Sequence, residues 1–316
     1  MTKYSVGDIE NILFEAFPLS DALPNDRNGL FVGDRKTIVK KIAVALDQTL
    51  PMIETALAFG CNLLVTHHPP FMYAPDSFLN VSSPALSNGA VIYKAAQKGI
   101  ALLNMHTNLD CAPAARNMMF EPVGLEYTAP LRPYGTGALG QLGRVQNRTK
   151  NNPTPLSAED SGRGTPSYLS LQNGLGPLSA NDGCRSPEQS GDRGYLQLGE
   201  LFARYRRYFG GVAKVWGDPD RPIFTVAACS GGAGEVVNEV VAAGVDCFIT
   251  GEVRHHEALY LADAGISLIE LGHDNSEMPY RYILQNTLVV AGIPYCDIVV
   301  LSPSATWWHP VADARE

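Results

Sequence analysis

Along this chain, apolar positions shift between a spacing near 3.6 residues and short unbroken runs, which marks helices alternating with buried strands. Ile9, Ile12, Leu13 and Ala16 recur at helical spacing behind Ser5 and Asp8, a capping-box start, and Pro18 ends the helix. Ile38 to Leu46 reads as a strand, Asp47 to Pro51 opens a helix that runs to Phe59, and Gly60 closes it. Asn62 to Thr66 is the next strand. A helix over Gly89 to Lys98 stops at Gly99, and Ile100 to Asn104 is a third strand. From Phe224 the pattern returns: strand Val226 to Cys229, glycine turn Ser230 to Gly234, helix Glu235 to Ala243 stopped by Gly244, strand Asp246 to Thr250, and strand Ile266 to Glu270 after Gly265. Aligning Gly60 with Gly244 sets Thr66 on Thr250, and Gly99 falls on Gly265. The alternation predicts an α/β protein made of two duplicated βαβαβ-like halves packed together.

Between these halves the composition changes. Residues 147–194 are dominated by Ser, Gly, Pro, Asn and Gln and hold few core formers, so they read as a polar insertion or linker. The expected division is a first α/β half over 1–146, the insertion over 147–194, and a second α/β half over 195–316. The 316 residues carry a net charge of −8 without a Lys/Arg run, which argues against a nucleic-acid-binding face. Six scattered cysteines without a Cys-x-x-Cys pair fit reduced thiols in a cytoplasmic or nuclear protein. The start lacks the apolar core of a signal peptide and no run of 18 apolar residues occurs, so neither export nor membrane insertion is expected.

The chemistry concentrates at strand ends. His67 and His68 follow the second strand, and Pro69 holds His68 extended, so two adjacent imidazoles leave the sheet from a rigid turn. Carbonyl-bonded strand-end histidines are the competing reading. Pro69 to Ser87 is loop-rich and would rim or cover that place. The third strand is followed by His106-x-x-x-Asp110 in the first half and by His273-x-x-x-Glu277 in the second. An imidazole and a carboxylate four residues apart share a face if a helical turn begins there. Taken alone, each pair also suits a capping carboxylate beside a surface histidine. Together, His67, His68, Asp110, His273 and Glu277, with His106 nearby, make a nitrogen/oxygen set too large for one closed tetrahedral metal and suited to a two-metal hydrolytic centre.

The motifs Thr66-His67-His68-Pro69, His106-Thr107-Asn108-Leu109-Asp110, Ser230-Gly231-Gly232, Thr250-Gly251-Glu252 and Gly272-His273 to Glu277 resemble the Ngg-interacting-factor-three-like (YbgI-like) family. Its bacterial members are labelled GTP cyclohydrolase I type 2 homologues. The resemblance implies duplicated three-layer α/β/α halves packed face to face around a dinuclear metal site, in a homohexamer. The ligands it implies are His67, His68, Asp110, His273 and Glu277, with two divalent ions per subunit. Imidazole with carboxylate suits zinc, iron, manganese or cobalt alike. Asp274-Asn275-Ser276 departs from the aromatic or histidine that many members carry there, which alters the pocket more than the metals.

Other features complete the reading. Ser230 to Gly234 could cradle a phosphate, though a tight strand-to-helix turn is the better account of its glycines, because the run is not a full Walker or dinucleotide pattern. Glu252, His255 and His256 would line the pocket behind the ligands, with at most one of the two histidines facing it. Trp307-Trp308-His309 would stack a base or pack on a neighbouring subunit. The expected activity is hydrolytic, on a nucleotide or phosphorylated small molecule, in a GTP cyclohydrolase-like reaction with His106 as proton carrier. The alternatives are a non-enzymatic regulatory or interaction protein held by its metals, and a metal chaperone or insertase.

Overall fold

The computed structural model describes residues 4–80, 89–146, 194–210 and 214–303. The expected insertion, except for Gly194, and Trp307-Trp308-His309 lie outside them. In chain order the strands are β1 (Gly29–Val32), β2 (Ile42–Ala45), β3 (Leu63–Thr66), β4 (Ala101–Asn104), β5 (Leu125–Tyr134), β6 (Gly137–Val145), β7 (Leu196–Gln197), β8 (Lys214–Trp216), β9 (Pro222–Ile223), β10 (Thr225–Gly232), β11 (Cys247–Glu252), β12 (Ser267–Glu270) and β13 (Ile298–Val300). The α-helices are α1 (Val6–Ala16), α2 (Leu50–Ala58), α3 (Gly89–Lys98), α4 (Thr107–Asp110), α5 (Leu198–Phe209), α6 (Val237–Ala243), α7 (His255–Asp263), α8 (His273–Glu277) and α9 (Tyr280–Val290). Two compact units result: residues 1–115, 134–137 and 278–316 in the first, and 116–133 and 138–277 in the second.

The first unit is built on a five-stranded sheet in the order β1-β4-β3-β2-β13. β2, β3 and β4 run parallel, β13 joins β2 in parallel, and β1 closes the β4 edge antiparallel. All four residues of β2, β3 and β4 are buried, as strands covered on both faces must be. One face carries Ala43, Ala45, Leu64 and Leu102 against Met52, Ile53 and Ala56 of α2 and Ala95 of α3. α9 packs on β2 and β13 and against α1, so helices sandwich the sheet. Ser5 caps α1 as expected: its backbone N–H and hydroxyl donate to Asp8, whose own N–H donates to Ser5 Oγ.

The second unit holds a six-stranded sheet, β5-β6-β10-β11-β12-β8, and a small β7-β9 pair. Here β10, β11 and β12 are the parallel trio, with β8 antiparallel on β12 and β6 antiparallel on β10. Each unit thus has three sequential parallel strands with an antiparallel strand beside the third. The glycines aligned by pattern agree in conformation: Gly60, Gly99, Gly244 and Gly265 all sit at positive φ, closing a helix before the next strand.

Two features depart from the pattern reading. β10 does not end at Cys229 but continues through Ser230 to Gly232, and the turn at Gly234–Val236 is 3-10 helix. The compact units also cut the chain differently from the expected halves at 146 and 195. The reason is long-range pairing: β6 lies against β10, with Leu142 opposite Ala227, and joins the second sheet, while β13 lies against β2, with Ile298 opposite Ile42, and returns the C-terminal stretch to the first.

Candidate metal centre

In the first unit, His67 and His68 leave β3, and His106 leaves the neighbouring strand β4, so parallel pairing brings three imidazoles to one sheet end. Ring centroids lie 4.8 Å apart for His67 and His68, 5.2 Å for His67 and His106, and 5.7 Å for His68 and His106. Candidate ligand nitrogens of all three fall within 4.8 Å of one another. Each ring is oriented through Nδ1. His67 Nδ1 donates to the carbonyl of Met105 at 3.0 Å, His68 Nδ1 to Asp47 at 2.8 Å, and His106 Nδ1 to Asp26 at 2.6 Å. A neutral ring held this way carries its proton on Nδ1 and keeps on Nε2 the lone pair a metal needs. The carbonyl-bonded reading of the pair holds for His67 Nδ1, whereas His68 Nδ1 is held by a carboxylate.

Asp110 ends the short helix α4 and sets Oδ1 at 3.6 Å from His67 Nε2, too far for a hydrogen bond. That oxygen is buried without a hydrogen-bond partner. Such a group is costly unless something satisfies it, and a cation between an imidazole and a carboxylate does so. Tyr280 of α9 stacks on His67 at 4.4 Å, with both side chains buried. Burial lowers the His106 pKa, but the hydrogen bond to Asp26 and the charges of Asp110 and Asp26 outweigh it, so the net shift is upward.

In the second unit, His273 and Glu277 share a face of α8, Nε2 to Oε2 3.4 Å, and Glu277 is buried. His273 Nδ1 donates to Glu252 of β11 at 3.0 Å. Glu252 is thus the carboxylate that orients His273. The floor is made of glycine. Gly231, at φ +63°, approaches so closely that a β carbon there would overlap Glu277 Oε1, and it would lie 3.5 Å from His273 Nε2. Ser276 Oγ donates to the His273 carbonyl at 2.8 Å and accepts from Gly231 N–H at 2.9 Å, binding helix to strand. The Ser-Gly-Gly motif therefore admits α8 to the strand end. His255 and His256 are both exposed on α7.

Sequence reasoning missed the supports Asp26 and Asp47, which sit 80 and 21 residues from the histidines they hold. No spacing rule reaches that far. An acidic residue at a strand end, as Asp47 is after β2, is the one local signal available.

An α/β fold with histidines oriented at its strand ends defines the class of protein. The chain belongs to the Duf34/NIF3 (NGG1p interacting factor 3) family, whose model matches residues 4–295. A Clostridium acetobutylicum protein named GTP cyclohydrolase 1 type 2 homolog is 27% identical over 285 residues, covering 90% of this chain and 89% of that one. The structure of a Staphylococcus aureus hypothetical protein, SA1388, superposes with a TM-score of 0.74 at 19% identity, covering 98% of this chain and 100% of that one. A Bacillus cereus protein related to NIF3 gives a TM-score of 0.72 at 17% identity, with the same coverage. At these identities the two structures establish the fold.

Proposed function

We propose that this protein is a divalent-metal-dependent hydrolase acting on a nucleotide or phosphorylated small molecule. His67, His68, Asp110, His273 and Glu277 would hold two ions. The carrying observation is that His67, His68 and His273 are each oriented through Nδ1, the arrangement that suits an imidazole to ligate through Nε2, while Asp110 Oδ1 is buried without a hydrogen-bond partner. The chain supports joining the two sets: Tyr280, which stacks on His67, follows Glu277 by three residues. The shared strand order of the units supports their reading as related halves.

Bound divalent ions would supply Lewis acidity to the scissile group. The protein's own contribution is orientation and proton handling. Met105, Asp47 and Glu252 fix three rings. His106, backed by Asp26, moves a proton at Nε2, the atom its hydrogen bond leaves available. The name of the Clostridium acetobutylicum relative supports a GTP cyclohydrolase-like reaction as the first to assay. A homohexamer is the assembly the family resemblance favours.

The test is metal analysis of the purified chain, with turnover on a panel of nucleotides and phosphodiesters, for wild type, His67→Ala and Glu277→Ala. Loss of both metal and turnover in the variants is expected. Wild type that holds metal but turns over no substrate would favour the non-enzymatic reading, and wild type without metal would overturn both.

A further inference from the structure

Arg27 is held against the histidine cluster from both sides. Asp26 accepts from His106 Nδ1, and Asn28 Oδ1 accepts from the His106 backbone N–H at 2.6 Å. The carbonyl of Arg27 itself accepts from Asn104 Nδ2 at 2.8 Å, and Asn104 is the fully buried last residue of β4. Three consecutive residues are thus pinned to the strand ends that carry His67 and His106. The guanidinium is fixed as well. Nε donates to the carbonyl of Met72 at 2.6 Å, and the group lies over the Phe71 ring, 5.3 Å from its centroid, while Phe31 meets Phe71 edge-on at 5.4 Å. Phe71 follows His68 by three residues, so the platform belongs to the same loop as the imidazoles.

This cation has no ion-pair partner among the described residues, although the chain is acidic overall and Asp26 is its neighbour. Asp26 is engaged by His106 and Thr107 instead. Arg27 is half-buried, and its guanidinium is held through Nε and one face, which leaves the two Nη groups as a preset fork. Planar forks of this kind match the oxygens of a phosphoryl group in a bidentate way, and an aromatic underlay keeps the cation weakly hydrated and ready to exchange water for an anion. A loop-bracing cation–π contact alone would not require the adjoining residues to be tied to His106.

We infer that Arg27, seated on Phe71, is the phosphate-reading residue of this site, selecting substrates that carry a phosphoryl group. The inference rests on the hydrolase reading and names its substrate class. Its test is calorimetric titration of the full chain with GTP and with guanosine, on metal-loaded and on chelator-treated protein, for wild type, Arg27→Gln and Arg27→Lys. Wild type should bind GTP more tightly than guanosine. Arg27→Gln should lose about tenfold or more of the GTP affinity, as expected for a hydrogen bond to a charged group, with guanosine affinity and metal stoichiometry unchanged. Arg27→Lys, which keeps charge without the fork, should fall between, and serves as the readout if Arg27→Gln does not fold. Equal binding of GTP and guanosine by wild type, no binding of either, or wild-type GTP affinity in the variants would overturn the inference. Wild type without metal, but with GTP binding that depends on Arg27, would overturn the metal-centre reading and leave this one standing.

Discussion

Gly231 and Glu277 are so closely apposed that only a residue without a side chain fits beneath the carboxylate. The helix that carries His273 is seated by this absence. Gly231→Ala should therefore cost about 1–2 kcal/mol from its left-handed backbone alone, with the displacement of Glu277 added, and the metal content should fall with it. Gly60→Ala is the control: its φ is +77°, but nothing lies within 4 Å of the added carbon. It should show the backbone cost and keep the metal. Urea denaturation with metal analysis separates the two cases.

Asp47→Ala removes the acceptor that orients His68 without touching a proposed ligand atom. Metal affinity should fall about 10- to 100-fold, the usual consequence of losing an outer carboxylate. Competition with a chromogenic chelator measures it, and an unchanged affinity would remove His68 from the ligand set.

His106→Ala should keep the metal, if the proton-carrying role is right, and lower turnover about 10²- to 10⁴-fold once a substrate is in hand. Metal loss in this variant would instead assign the third imidazole of the cluster to coordination.

Chelation should lower the thermal midpoint of wild type. A metal held at a hundred times its dissociation constant stabilises by about 2.7 kcal/mol. Differential scanning calorimetry with and without chelator should show the shift in wild type and none in a His67→Ala, Glu277→Ala double variant.

Asp8 titrates below its ordinary value of 3.8 because the Ser5 backbone N–H and hydroxyl bind its charged form. A depressed folded-state pKa stabilises above the unfolded value and is lost as pH falls through the folded one. The urea midpoint of wild type should exceed that of Asp8→Ala at neutral pH, and the gap should close as the solution is taken below the ordinary value of 3.8. A gap independent of pH would locate the effect in packing.

Much of this architecture is written in local pattern. Ser5 with Asp8 announces α1, the glycines at 60, 99, 244 and 265 punctuate both parallel trios, and each histidine motif falls where a strand runs out. The hairpin β5 to β6 is harder to read, because Pro130, Pro133 and the glycines at 135, 137, 140 and 143 break the alternation that signals a strand. β5 tolerates its prolines because it is an edge strand. The three-residue β13 leaves no periodicity to detect, and its partner β2 lies most of the chain away. In the site, ligand residue types stand out in the sequence, whereas Asp26, Asp47 and the close approach at Gly231 depend on tertiary distances.

The return of β13 to β2 gives the two units different birth orders on the ribosome. Every residue of the second unit has been synthesised once Glu277 is added, whereas the first began earlier and still lacks α9 and β13 at that moment. The N-terminal sheet must wait with one side of β2 unpaired until the last strand emerges. A chain truncated after residue 277 would therefore leave the sheet of its first unit, and not that of its second, short of a strand.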